Sequence, residues 1–289
     1  MIITGSIEET GKAIAKARAE GKKIGFVPTM GYLHKGHISL VDISKQHTEF
    51  QVMSLFVNRI QFNDKNDFLN YPKDFEMDSN AARDAGVDLL FTPDDVEMYR
   101  DALTTVDVAM LTDNLCGAHR PGHFKGVFTV VSKLFNIVQP DISVFGQKDI
   151  QQAVSIEKMT ADLNFPVKII IAPIIREDDG LAMSSRNARL TPVHRKNSVV
   201  INAAFRLAEK MILSGERNSE KIISAMREKI LTGSPDSIDY ISAVRYSTLA
   251  TVDELSDKSV IAAAVFFGGV RLIDNMIIEF SAGGAKCVY

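Results

Sequence analysis

"KKIGFVPTMGYLHKGHISLVDISKQH", residues 22–47, decides the fold. Its opening, 22–27, reads as a buried strand bounded by glycine and Pro28. Its end, from His37 onward, spaces Ile38, Val41 and either Leu40 or Ile43 on one helical face. Between them lies "GYLHKGH", 31–37, with two histidines three apart and two glycines. A strand, a tight turn and a helix in that order place the turn at the carboxyl edge of a parallel sheet. There a helix N-terminus offers unbonded N–H groups and a partial positive charge, which suits an anion. Gly31 and Gly36 permit close approach of a ligand to the backbone. By themselves His34 and His37 read more readily as partly exposed loop or helix-start residues than as ligand contacts. A zinc reading lacks a third nearby ligand, and no GxxxxGK[ST] loop occurs.

The segments that follow keep the alternation. Strand-like runs at 50–57, 87–93, 141–146 and 167–175 are separated by helical patterns at 74–85, 123–138 and 149–163. This predicts an α/β fold, a Rossmann-like doubly wound parallel sheet. After Ile175 the texture changes. A polar loop, 176–192, precedes two amphipathic helical stretches, 192–214 and 219–231. "IDYISAVR", "VIAAAVFF" and "VRLIDNMIIEF" then read as strands of a small mixed sheet, and "SAGGAKCVY" as a loose tail. The expected division is 1–174 and 175–289.

Composition narrows the function classes. The 289 residues are 46% apolar and 24% charged, with net charge −3. No Lys/Arg run suggests a grip on nucleic acid. Cys116 and Cys287 make no disulfide framework. The N-terminus has no basic, apolar leader. The longest apolar run, from Val260, stops at Arg271, short of the roughly 20 residues a membrane span needs. A cytoplasmic protein without a membrane partner is the expectation.

Two more polar segments follow strand-like runs. "FGQKD", 145–149, offers Lys148 for a phosphate and Asp149 for a ribose hydroxyl. "MSSR", 183–186, offers two hydroxyls and a guanidinium that could fork onto phosphate oxygens. HxGH, KD and MSSR in that order resemble the HxGH nucleotidyltransferase superfamily. More closely, "VPTMGYLHKGH", "FVNRIQF", "RPGHFKGVFTVVSKLFNIVQPD", "FGQKDIQQ" and "DGLAMSSRNARL" are similar, in register, to the pantoate–β-alanine ligase family.

That resemblance implies an ATP-dependent ligase. Pantoate would be activated as pantoyl adenylate with release of pyrophosphate, and β-alanine would displace AMP. It implies ATP contacts at Met30, Gly31, Tyr32, Leu33, His34, Lys35, Gly36 and His37. Further ATP contacts are implied at Gly146, Gln147, Lys148, Asp149, Ile175, Met183, Ser184, Ser185 and Arg186. His37, His34, Lys148 and Arg186 would act on the reacting phosphates. Thr29, Asn58, Gln61 and Gln152 would bind substrate. Magnesium would arrive with ATP, with no protein ligand assigned. A homodimer, and a smaller C-terminal α+β domain closing over ATP as a lid, are also implied. Arg59 and Gln147 depart from the family's common proline and glutamate, and the roles of Arg120 and His123 stay open. The main rival is a cofactor nucleotidylyltransferase, which also uses HxGH but keeps the nucleotide in its product.

Overall fold

The computed structural model describes residues 1–63 and 68–289. The chain divides into two compact units. The first comprises Met1–Ala109, Arg120–Gly146 and Ser155–Ala172; the second comprises Met110–His119, Gln147–Val154 and Pro173–Tyr289.

The first unit is built on a parallel six-stranded sheet. Its strands are β1 (Ile2–Thr4), β2 (Ile24–Thr29), β3 (Phe50–Leu55), β4 (Leu89–Phe91), β5 (Ile142–Gly146) and β6 (Lys168–Ala172), in the spatial order β1-β4-β3-β2-β5-β6. From β2 the chain winds outward through β3 and β4, then returns to β5 on the other side of β2. Gly25 pairs with Ile142 there. In such sheets ligands usually bind outside the strand ends beside this reversal. Thr29 ends β2 and Gly146 ends β5, both on that edge.

Both faces of this sheet are covered, which is why its strands read as nearly continuous apolar runs. Val27, Met53, Leu90 and Val144 point to one face. They pack with Leu33, Leu40 and Val41 from the turn and the helix Lys35–Lys45, and with Ala82 from the helix Phe75–Asp84. Phe145 points to the other face, where the ring of Phe135 meets it edge-on at 6.4 Å. Phe135 belongs to the helix His123–Val138, whose Phe124, Val127, Phe128, Val131 and Leu134 are also buried.

The second unit carries a four-stranded sheet, ordered β10-β9-β8-β7, of β7 (Ser237–Arg245), β8 (Lys258–Phe267), β9 (Val270–Ser281) and β10 (Gly284–Val288). Three expectations need correction. The sheet is antiparallel throughout, not mixed. Gly268 and Gly269, both at positive φ, form a two-residue hairpin between Phe267 and Val270, a connection that only antiparallel neighbours can use. The last residues are not a loose tail but strand β10. Ala285, Cys287 and Tyr289, at period two, pack against the core formed by the sheet and the helices Val200–Leu213 and Ser219–Leu231. The helical stretch from Pro192 is also two helices, Pro192–Ser198 and Val200–Leu213, divided at Val199.

Candidate active site

The HxGH turn is a helix start. His34 has extended backbone (φ −138°) and caps the helix Lys35–Lys45, which places Gly36 at the second helical position and His37 at the third. The backbone N–H of Gly36 donates to His34 Nδ1 at 3.1 Å, and the N–H of His34 donates to His37 Nδ1 at 3.3 Å. Two imidazoles thus do the work of the reciprocal capping box. The rings lie 4.1 Å apart, tilted by 42°. A ring whose Nδ1 accepts a hydrogen bond carries its proton on Nε2 when neutral. Capping therefore makes each Nε2 a hydrogen-bond donor.

The turn before the helix is held from a distance. Asp78, 3% exposed on the helix Phe75–Asp84, accepts from the backbone N–H groups of Tyr32 (2.8 Å) and Leu33 (2.7 Å). Gly31 has φ +88°, and a Cβ there would sit 2.8 Å from Asp78 Oδ2, so glycine is required. Thr29 Oγ1 donates to Ser54 O at 2.7 Å and accepts from Gly31 N at 3.3 Å. Leu33 presents only its backbone to the turn, because its side chain is in the core. Nothing local in the sequence marks Asp78 beyond its place in a polar helix.

Asn58 and Gln61 meet beside this turn, around the short helix Arg59–Gln61. Asn58 Nδ2 donates to Gln61 Oε1 at 2.9 Å, and Gln61 Nε2 lies 3.1 Å from Met30 Sδ. The approach of the helix His123–Val138 depends on Gly126: a Cβ there would come 2.6 Å from both Gln61 Cα and Ile60 O. His123 Nδ1 lies 2.7 Å from the Gln61 carbonyl, and Arg120 Nη1 lies 3.3 Å from His123 Nε2. A carbonyl only accepts and a guanidinium only donates, so His123 carries its proton on Nδ1, the opposite tautomer to His34 and His37. Arg120 and His123 thus support the Gln61 main chain.

The remaining expected residues belong to the second unit. Gln147 is 2% exposed, and its Nε2 donates to Asn275 Oδ1 (3.2 Å) and to the Val288 carbonyl (3.0 Å). Asn275 Nδ2 returns two bonds, to the carbonyls of Gln147 (2.9 Å) and Lys148 (3.0 Å). An ionised glutamate in this place could donate to neither acceptor. The Gln147 side chain is thus held within the second unit, at the start of the short helix Gln147–Asp149, where Lys148 Nζ lies 3.8 Å from Asp149 Oδ2. Of the adjacent glutamines, Gln151 is buried and bonds the carbonyls of Leu111 and Asn114; Gln152 is half-buried.

Met183 N donates to the Ile175 carbonyl at 2.9 Å, and Arg176 bridges to Ala182, closing the base of the loop. Arg176 also forks onto Asp274 at 2.7 and 3.0 Å. Ser184 caps the short helix Ser185–Arg189 by accepting from Arg186 N at 3.3 Å. Met183 to Arg186 are half-buried. Among the described residues no cluster of three or more His, Cys, Asp or Glu could hold a metal ion. No helix among them is long and apolar enough to cross a membrane.

Known proteins match this architecture along nearly its whole length. The family model described as pantoate-beta-alanine ligase covers residues 2–277. Pantothenate synthetase of Thermoanaerobacter sp. (strain X514) is 51% identical over 278 residues, 96% of this chain and 98% of the relative. The crystal structure of pantothenate synthetase from Thermus thermophilus superposes with a TM-score of 0.90 at 39% identity, covering 95% of this chain and 98% of that one. A pantoate-beta-alanine ligase from Francisella tularensis, complexed with beta-gamma ATP and beta-alanine, superposes with a TM-score of 0.77 at 34% identity, covering 95% and 97%. The chain belongs to the pantoate–β-alanine ligase family.

Proposed function

We propose that the chain, as a pantoate–β-alanine ligase, works through a pantoyl-adenylate intermediate assembled at the β2 strand end. A carboxylate oxygen of pantoate attacks the α-phosphorus of ATP, the bond to the bridging α–β oxygen breaks, and pyrophosphate leaves. The amine of β-alanine then attacks the acyl carbon, AMP departs, and the amine gives up a proton. Activation is needed because a free carboxylate is a poor acyl donor to an amine.

The observation that carries this reading is the paired capping of His34 and His37. It turns two Nε2–H donors into fixed equipment of a helix N-terminus, where charge builds on phosphate oxygens in the transition state. Donors already oriented there stabilise that state more than the ground state. Lys148, Arg186, Ser184 and Ser185 are assigned to the triphosphate, and Asp149 to the ribose. The main chain of Met30 to His37, Gly146, Gln147, Ile175 and Met183 completes the ATP contacts. Thr29, Asn58, Gln61 and Gln152 are assigned to pantoate, with Gln61 also serving β-alanine. Magnesium enters as MgATP, held by phosphate oxygens and water. A cytoplasmic homodimer, with the C-terminal domain acting as a lid, belongs to the same proposal.

Isotope exchange between pyrophosphate and ATP is the test. Exchange that requires pantoate but not β-alanine is expected. Net synthesis of pantothenate without any such exchange would overturn the adenylate, and nucleotide retained in the final product would favour the nucleotidylyltransferase reading.

A further inference from the structure

An amide side chain has one accepting end and one donating end, and the end it shows to a ligand decides what the ligand must offer. The surroundings of Gln61 make that choice. The backbone carbonyl of Gly126 can only accept, so Asn58 must turn its nitrogen toward it, and Nδ2 lies 3.1 Å away. The same nitrogen donates to Gln61 Oε1 at 2.9 Å, which uses both of its N–H groups. The hydroxyl of Tyr99 donates to Asn58 Oδ1 at 2.8 Å. Asn58 is 1% exposed, so solvent cannot replace these partners. Burial, with Asp95 nearby, pushes the Tyr99 phenol up from its ordinary value, and it remains a donor throughout the neutral range. With Oε1 turned to Asn58, the Gln61 amide directs its nitrogen to the other side. That nitrogen faces Met30 Sδ, a weak acceptor that a carboxylate or hydroxyl oxygen would displace.

We propose that Tyr99 and Asn58 are positioning residues that hold Gln61 with its amide nitrogen outward, so that this point of the site selects a hydrogen-bond acceptor on the substrate over a donor. The inference deepens the assignment of Gln61 to pantoate and rests on it. It also gives Asn58 a different task, since both of its N–H groups are spent inside the protein and it acts on substrate through Gln61.

The test is a double-mutant cycle in the full-length enzyme, with Tyr99→Phe, Gln61→Ala and the two combined. Pantoate binding is read by titration calorimetry and by KM, alongside the KM for ATP. Loss of one buried hydrogen bond in the relay should raise pantoate KM about tenfold in Tyr99→Phe, with the KM for ATP unchanged. In the Gln61→Ala background, Tyr99→Phe should add nothing, because its target is gone. Asn58→Asp, which exchanges the two donors for an acceptor, supplies a second cycle with the same expectation if Tyr99→Phe folds poorly. A pantoate KM within twofold of wild type in Tyr99→Phe, or a full effect persisting without Gln61, overturns the inference and leaves the assignment of Gln61 standing. Unchanged pantoate binding in Gln61→Ala would overturn that assignment and the inference with it.

Discussion

Two buried carboxylates anchor the two loops assigned to ATP, and they do so differently. Asp78 and Asp274 are each 3% exposed. Asp78 grips the middle of the 30–37 turn through two backbone N–H groups. Asp274 grips the base of the 176–189 loop through the forked guanidinium of Arg176. In the first case neutral dipoles satisfy a charge and no cation is needed. In the second an arginine cancels the charge, beside one backbone N–H from Asn275 at 2.9 Å. A carboxylate held by dipoles shapes the backbone around it; one held by an arginine joins two elements and leaves the loop beyond to local contacts such as the Ser184 cap.

This difference sets an order of mutational cost. Arg176→Ala strips a buried carboxylate of its counter-charge and should cost about 3–5 kcal/mol of stability, read by denaturant unfolding. A loss under about 1 kcal/mol would mean that Asp274 finds another partner and that the loop base does not depend on the pair. Asp78→Ala removes an acceptor from two N–H groups without stranding a charge. About 2–3 kcal/mol is expected, together with a raised KM for ATP and an unchanged KM for β-alanine. If KM for both rose equally, Asp78 would be supporting the unit as a whole rather than the turn. Gly31→Ala keeps Asp78 but places a Cβ against its Oδ2 at positive φ. It should cost about 1–2 kcal/mol and shift the same ATP constant in the same direction by less. An ATP KM rising further in Gly31→Ala than in Asp78→Ala would reverse the assigned roles.

The same contrast separates what sequence reveals from what it hides. The parallel sheet is legible because buried strands and amphipathic helices leave local periodicities, and the strand-turn-helix around "GYLHKGH" locates the β2 edge. A reading of the N-terminus for a leader alone passes over the strand Ile2–Thr4 and the helix Ile7–Ala19. Yet Ser6 accepts from Glu9 N at 3.3 Å, a capping signal visible in "SIEE". Strand β10 is masked by "GGAK", whose glycines look like looseness until Ala285, Cys287 and Tyr289 are counted at period two. Asp78, Tyr99 and Gly126 leave no such signature. Asp78 stands 46 and 45 residues from its partners Tyr32 and Leu33. Tyr99 is 41 residues from Asn58, and Gly126 is 68 from it. Only packing of the folded sheet brings such groups together. Asn58 and Gln61 stand out through family resemblance, and the direction of their amides comes only from the structure.

His37→Asn tests the central claim most directly. Asparagine Oδ1 can take the place of Nδ1 in accepting from the His34 N–H, while the Nε2 donor disappears. Formation of pantoyl adenylate in a single turnover, with pantoate and MgATP and no β-alanine, should slow by about 10²–10³-fold at nearly unchanged thermal stability. A variant that forms the adenylate at close to the wild-type rate would show that His37 is a cap and nothing more.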